Sequence, residues 1–226
     1  MKNNISKKKP LIFLPLVRFT LLSVIAIVGI SIVLKSLSYF NPDFNEGYLS
    51  DKEDVFIGIF SVGLYVHLLV SPLLLAIGSL QVFRKAKSDR IHQIAGKCYT
   101  VGVLFLGGPS GVILAFYATG GIAGKVNFLL LSVLWMFFTY RAYQHITEGD
   151  KTNHRVDSIS SYVLLLSAIL LRINSFVVVN FTSFPISSIT YVILSILSWL
   201  PSLIATRIFL TQRKSPVCNS TEMYKS

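Results

Sequence analysis

The chain has 226 residues, of which 53% are hydrophobic and only 14% are charged, and its formal net charge is +11. Soluble domains carry about 25% charged residues, so this chain has too few polar groups to cover a soluble surface. The composition therefore excludes secreted disulfide scaffolds, nucleic-acid-binding modules and soluble Rossmann-type enzymes. Its Lys and Arg residues stand between long apolar runs rather than on one soluble face, so the expected partner is the lipid bilayer and not a nucleic acid. The sequence names no protein partner.

Six apolar runs follow one another, and each is close to the roughly 20 residues that a spanning helix needs. The first run follows a group of lysines but lacks the small-residue cleavage site of a signal peptide, so we expect it to stay as a span. Gly107, Gly108 and Pro109 predict a kink or local unwinding within the third. The predicted spans cover residues 11–34, 55–83, 91–118, 126–143, 159–179 and 186–210.

The distribution of basic residues predicts the orientation of the bundle. Seventeen of the 21 Lys and Arg residues lie in segments on the side of the amino terminus, three lie on the opposite side, and Arg172 lies within a span. Cytoplasmic loops carry the excess of Lys and Arg in membrane proteins. We therefore expect an all-α polytopic helical bundle in the cell membrane, with both termini cytoplasmic. It has a single membrane domain over residues 1–210 and a polar cytoplasmic tail over residues 211–226.

His67 lies inside the second predicted span, where an ionisable side chain is a functional candidate by default. The nearby Pro72 leaves the carbonyl of Leu68 without its helical N–H partner. His67 is therefore a candidate haem or metal ligand or proton relay, and the alternative is a neutral imidazole that hydrogen-bonds between helices. About 13 residues, or about 20 Å, separate it from the inner end of its span, so it cannot share one iron with a histidine there.

Arg172 lies in the outer half of the fifth predicted span, and no Asp or Glu lies in any of the predicted spans. Three kinds of compensation are open to its charge. An anionic ligand could pair with it, an acidic residue of the outer first loop such as Asp54 could do so, or the side chain could extend toward the outer interface.

Three further histidines fall at similar depth, near the predicted cytoplasmic ends of the spans. His92 opens the third span and His154 opens the fifth, and we predict that these two share one site for a metal ion, a haem edge or a quinone headgroup. The expected supporting neighbours are Tyr99, Arg141 and His145. The alternative is that these side chains contact lipid phosphates and helix ends, because the sequence has no close ligand spacing such as HxxxH.

Several short motifs occur along the chain in a fixed order. Residues 91–99, Ile-His-Gln-Ile-Ala-Gly-Lys-Cys-Tyr, resemble the pattern Leu-His-Arg-x-x-Gly-Arg-x-Tyr of a bacterial family of predicted membrane proteins. Similar motifs occur at residues 118–121, 140–143, 153–155 and 199–203, so the resemblance covers about residues 66–207. The family, domain of unknown function 2306, has no established activity, and the resemblance implies a multi-pass membrane protein. Its recurrent histidines map onto His67, His92 and His154, whereas Gln93 stands where the family usually has Arg.

The sequence contains no motif for hydrolysis or nucleotide-driven work: it has no Walker A loop, GxSxG elbow, HExxH motif or paired intramembrane carboxylates. We therefore expect a membrane protein that is not an enzyme and that binds or senses a ligand through His67 and the inner histidines. The first alternative is a one-site b-type haem or quinone redox protein, with haem as the candidate cofactor. The second alternative is a small-solute transporter.

Overall fold

The computed structural model describes residues 13–45, 47–50, 52–83, 90–182 and 187–212, and within these ranges the chain is helical with no strand. Six helical segments are long and apolar enough to cross a membrane, which confirms the predicted all-α fold class. The predicted tail from residue 213 onward and the amino-terminal lysines lie outside the described residues.

Seven α-helices in the described part of the chain make up the six spans: α1 (Phe13–Ser36), α2 (Ile59–Phe83), α3 (Arg90–Gly102), α4 (Gly108–Phe116), α5 (Gly121–Thr147), α6 (Lys151–Phe181) and α7 (Ser188–Gln212). Together, α3 and α4 form the third span. Three short 3-10 turns lie between α1 and α2, at Leu37–Phe40, Gly47–Leu49 and Glu53–Val55. We call the two ends of the bundle the α5–α6 end and the α6–α7 end, after the helix connections that lie there.

The third span changes its winding where the sequence predicts a kink. Residues Val103–Gly107 form a π-helical turn, directly before Gly108 and Pro109. Proline offers no N–H to the carbonyl one turn earlier and its ring presses on that carbonyl, so a wider turn relieves the conflict. The hydroxyl of Ser110 donates to the carbonyl of Gly107 (3.0 Å), which fixes this serine beside α2.

Small residues allow the helices to approach closely. A Cβ atom at Gly78 of α2 would lie 2.7 Å from the ring of Tyr162 in α6, and one at Gly63 would lie 2.6 Å from Ile113 in α4. The first helix is peripheral, and its contacts are mainly with α2. The central core consists of Leu74, Tyr99, Val103, Trp135, Phe138, Tyr162, Leu164, Leu165, Trp199 and Leu203.

The connection between α1 and α2 packs against the α6–α7 end of the bundle. Leu49 of this connection is buried together with Phe60 and Leu64 of α2. The hydroxyl of Tyr65 donates to the carbonyl of Tyr39 (3.1 Å), which ties the connection to α2 a second time. The connection therefore lies next to the half of α2 that begins at Ile59 and contains His67.

Helix α6 begins at Lys151, eight residues before its predicted start at residue 159. The carboxylate of Asp150 caps the helix by accepting a hydrogen bond from the backbone N–H of Asn153 (2.9 Å). This hydrogen bond and a second one from the Asn153 side chain lower the pKa of Asp150. The early start places Asp157, which falls outside the predicted spans, on the second turn of α6, where it is 1% exposed.

Candidate functional site

The structure brings His67 and Arg172 to one cavity. The cavity has a volume of about 230 Å³ and lies between α2, α4, α5, α6 and α7. A smaller cavity of about 100 Å³ between α1, α2 and α6 is also lined by both residues. His67 lies about 12 Å along α2 from Ile59, and Arg172 lies about 14 Å from Phe181 at the same end of α6, so their depths match. The two intramembrane candidates therefore belong to one site.

The hydrogen bonds of His67 define which ring nitrogen carries the proton. Its Nδ1 lies 3.2 Å from Ser110 Oγ, and the single hydroxyl proton of Ser110 is donated to the Gly107 carbonyl. Nδ1 must therefore donate to Ser110, which leaves Nε2 as an acceptor in the neutral ring. Among the described residues Nε2 has no hydrogen-bond partner. The absence of a side chain at Gly111, whose Cβ would lie 3.7 Å from His67 Cε1, leaves room beside the ring.

The guanidinium group of Arg172 turns back along its own helix. Its Nη1 donates to the carbonyl of Ala168 (3.0 Å), one turn closer to the membrane centre, rather than extending toward the nearer end of α6. The side chain is exposed and lines both cavities. Within the described part of the chain no carboxylate forms an ion pair with it. The sequence leaves three ways to compensate the charge of Arg172: an acidic partner, extension toward the outer interface, or an anionic ligand. The described contacts of Arg172 show neither an acidic partner nor an extended side chain.

The remaining wall of the larger cavity is apolar with a few hydroxyl groups. Ser71 is one of them, and its Oγ is buried with no hydrogen-bond partner among the described residues. The other hydroxyl-bearing side chains in the lining are Tyr48, Thr119, Ser132, Ser167, Tyr191 and Ser195. Ligand pockets have this character, since an apolar wall provides burial and a small number of polar groups orient the ligand.

His92 and His154, which the sequence predicts to share a site, have neighbours on different helices. His154 Nδ1 donates to the carbonyl of Ala142 in α5 (2.7 Å), because a carbonyl can only accept. The carbonyl of His92 accepts from Gln81 Nε2 of α2 (2.8 Å). Among the described residues, no group of three or more His, Cys, Asp or Glu side chains is placed to hold a metal ion. A site shared by His92 and His154 stays a prediction.

Tyr99, an expected neighbour of the inner histidines, belongs to a closed chain of buried hydrogen bonds. Trp135 Nε1 donates to the Tyr99 hydroxyl (3.2 Å), which lies 3.0 Å from Ser161 Oγ. Ser161 Oγ lies 2.7 Å from Thr139 Oγ1, which donates to the carbonyl of Trp135 (2.8 Å). The indole N–H can only donate, and the Thr139 hydroxyl already donates to the Trp135 carbonyl. The Tyr99 hydroxyl therefore donates to Ser161, and the Ser161 hydroxyl donates to Thr139. Every member of the chain is satisfied.

Arg141 and His145 gather around a residue that the sequence reasoning missed. Asp157 Oδ2 lies 3.2 Å from Arg141 Nε and 3.3 Å from His145 Nε2, and Oδ1 accepts a hydrogen bond from Arg207 Nη1. The sequence signal that could have revealed Asp157 is the helix cap at Asp150. A cap at that position starts α6 early enough to turn Asp157 toward the bundle.

Comparison with known families agrees with the motifs in the sequence. The family model described as predicted membrane protein, DUF2306, matches residues 64–210. The matched segment begins within α2 and ends within α7, so it contains both cavity residues and Asp157. No curated protein and no solved structure matches the chain with significant similarity. Since the family model covers more than half of its residues, this chain belongs to the DUF2306 family of predicted membrane proteins.

Proposed function

We propose that this membrane protein binds a small anion with an apolar body, such as a carboxylic acid, in the cavity lined by His67 and Arg172. The observation that carries the proposal is an arginine, within a span, that faces a cavity and has no carboxylate partner among the described residues. Insertion scales give a cost of about 2.5–3.5 kcal/mol for an arginine at a span centre. A bound anion would offset part of that cost by pairing with the guanidinium group.

The remaining guanidinium donors of Arg172 suit a carboxylate. Only Nη1 has a described hydrogen bond, which goes to the Ala168 carbonyl. A guanidinium group can bind both carboxylate oxygens through two parallel N–H groups, which an ammonium group cannot do with the same geometry. The low polarity of the surrounding wall strengthens such a charge-assisted pair relative to water.

The size of the cavity limits the apolar body of the ligand. A protein cavity of about 150 Å³ holds benzene, so a volume of about 230 Å³ suits a ring or short chain carrying one acidic group. His67 Nε2 can accept a hydrogen bond and Ser71 Oγ is without a partner among the described residues. These two atoms favour a ligand with a hydroxyl or amide group near its carboxylate.

The haem alternative has less support at this depth. His67 is the single histidine among the described residues that line the cavity, and a b-type haem with two histidine ligands needs a second one on a facing helix. A Soret band in the absorption spectrum of the purified protein would favour haem and contradict the binding of a small acid here.

The test measures binding of octanoate and of octanamide, its neutral counterpart, to the full chain in nanodiscs by isothermal titration calorimetry. We expect octanoate to bind at least about tenfold more tightly than octanamide, and Arg172→Leu to remove that preference. The matched control is Lys125→Gln, which removes an exposed cation near the same end of the bundle and should leave binding unchanged.

Two further results bear on this proposal. Equal affinity for the acid and the amide in the unmodified protein contradicts it, and this comparison needs no variant that must fold. Arg172→Lys keeps the charge but loses the planar pair of donors, so it should bind octanoate with intermediate affinity. Full binding by Arg172→Leu would show that the arginine does not contact the ligand.

We also propose that the α5–α6 end faces the cytoplasm and that the protein resides in the cell membrane. Seven described basic residues cluster at this end: Arg18, Arg90, Lys97, Arg141, Lys151, Arg155 and Arg207. The opposite end has Lys35, Lys52 and Lys125. In a variant whose native cysteines are replaced, a cysteine at position 125 should react with an impermeant maleimide on intact cells. A cysteine at position 151 should react only after permeabilisation, and the reverse pattern would overturn the orientation.

A further inference from the structure

Asp157 holds two arginines from different helices at the α5–α6 end. Its side chain is 2% exposed, and its two oxygens contact Arg141 of α5 and Arg207 of α7. The three residues lie five or six positions from the ends of their helices, or about 8–9 Å along the axis, so they share one depth. One carboxylate therefore fixes the position of two guanidinium groups.

The charges of this group do not balance. Asp157 is the one described carboxylate that contacts the two arginines, so these three residues together carry one excess positive charge. The exposed Glu148 lies 3.9 Å from Nδ1 of His145 and forms no ion pair with either arginine. About a third of each arginine side chain is exposed, 39% for Arg141 and 33% for Arg207. Nη2 of Arg141 also lies 3.1 Å from Nε2 of His145. The guanidinium N–H groups that do not contact Asp157 or His145 can thus reach a ligand at the edge of the bundle.

An aromatic ring lies next to each of the two guanidinium groups. Arg141 lies over the ring of Phe137 (5.7 Å to the centroid), and Arg207 lies over the ring of Phe138 (5.0 Å). A cation held over a ring loses little further freedom when it binds an anion, so the pair is preorganised. Exposed cations on the same end, such as Lys151 and Arg155, add attraction for anions.

We propose that Arg141 and Arg207, positioned by Asp157, bind a phosphate group at the α5–α6 end. Guanidinium groups recognise phosphate through parallel pairs of N–H donors. The phosphate comes from the headgroup of an anionic lipid or from free phosphate, and both sources present the same oxygen atoms. The site lies at the opposite end of α6 from the Arg172 cavity and does not depend on a ligand there.

The lipid arm of the test uses native mass spectrometry of the full chain purified in detergent. Dioleoylphosphatidylglycerol, which is anionic, is titrated in parallel with dioleoylphosphatidylcholine, which is zwitterionic. We expect at least about a tenfold preference for phosphatidylglycerol. Arg141→Gln should abolish this preference while leaving Asp157 paired with Arg207, whereas the control Arg155→Gln removes an exposed cation of the same end and should retain it.

The second arm titrates inorganic phosphate into the same protein, with chloride at equal ionic strength as the reference anion. Phosphate binding that Arg141→Gln removes, without a lipid preference, assigns the site to free phosphate. A lipid preference that phosphate does not displace assigns it to a lipid headgroup. Absence of both, or equal losses in Arg141→Gln and Arg155→Gln, overturns the proposal, and the comparison of ligands on the unmodified protein needs no variant.

Discussion

The closed series of hydrogen bonds in the core predicts different effects for two Tyr→Phe substitutions, each of which removes only a hydroxyl group. Tyr99→Phe removes the acceptor of the Trp135 indole N–H, and the Trp135 side chain is almost fully buried. Ser161 still donates to Thr139, so the indole is the group left without a partner. Tyr162→Phe is the matched control, because Ser79 continues to donate to the carbonyl of Leu75 after the Tyr162 hydroxyl is lost.

The expected loss in the free energy of unfolding depends on whether the substitution leaves a buried donor without an acceptor. A buried donor without an acceptor costs about 1–3 kcal/mol, whereas an average hydrogen bond between membrane helices contributes about 0.6 kcal/mol. We expect Tyr99→Phe to lower the free energy of unfolding by about 1–2 kcal/mol, and Tyr162→Phe to lower it by about 0.6 kcal/mol or less. Both rings remain in place, so neither change opens a large cavity.

The assay is unfolding of the full chain in mixed micelles with increasing sodium dodecyl sulfate, followed by far-ultraviolet circular dichroism. A double-mutant cycle adds Trp135→Phe, which removes the donor itself. The effect of Tyr99→Phe should shrink in that background, because no indole N–H then lacks an acceptor. Equal losses for Tyr99→Phe and Tyr162→Phe, or fully additive effects in the cycle, would refute the direction of the chain derived from the structure.

Three further changes have expected outcomes in the same titration or in thermal unfolding. Gly78→Ala should lower the free energy of unfolding by about 1–3 kcal/mol, because its Cβ would meet the ring of Tyr162, and an unchanged midpoint would contradict this close approach. Asp157→Asn leaves two arginines without a carboxylate, and removal of one partner from a buried ion pair costs about 3–5 kcal/mol; because the arginines are partly exposed, we expect about 3 kcal/mol. Since the hydrogen bonds from Asn153 lower the pKa of Asp150, its carboxylate stabilises the fold above the ordinary aspartate pKa of about 3.9, and this contribution is lost as the pH falls through the lowered pKa. Asp150→Ala should therefore melt earlier than the unmodified protein at pH 7 and converge with it at lower pH.

The spans could be predicted because each is a long apolar run, and the bilayer sets the length that such a run needs. The ends of the helices could not be read in the same way. Helix α6 begins in polar sequence at Lys151, where the cap at Asp150 rather than hydrophobicity decides the start. Hydropathy therefore located the fifth span but missed its first two turns, and with them Asp157.

The depth of a residue along its helix could also be estimated from the sequence. The direction in which its side chain points from the helix axis could not. The spacing along α2 and α6 places His67 and Arg172 at similar depth, but sequence alone gives no contact between the two helices. Their meeting depends on the rotation of each helix, which packing sets through contacts such as Gly78 against Tyr162. The rotation of α6 also explains why Arg172 forms no ion pair with a carboxylate among the described residues.

Polar groups within the bundle divide into two kinds, and the division indicates where a ligand belongs. The hydrogen bonds through Tyr99 form a closed series in which each donor has an acceptor, so these groups have no donor left for a ligand. His67 Nε2 and Ser71 Oγ have no partner among the described residues, and Arg172 bonds only to its own helix. The described residues satisfy the hydrogen bonds around Tyr99 but leave three polar groups open around one cavity. The Arg172 guanidinium can bind a carboxylate there, and Ser71 Oγ and His67 Nε2 can bind a hydroxyl or amide group beside it. The Arg172→Leu measurement tests this reading directly, since a purely structural arginine at that depth should be replaceable by leucine without loss of octanoate binding.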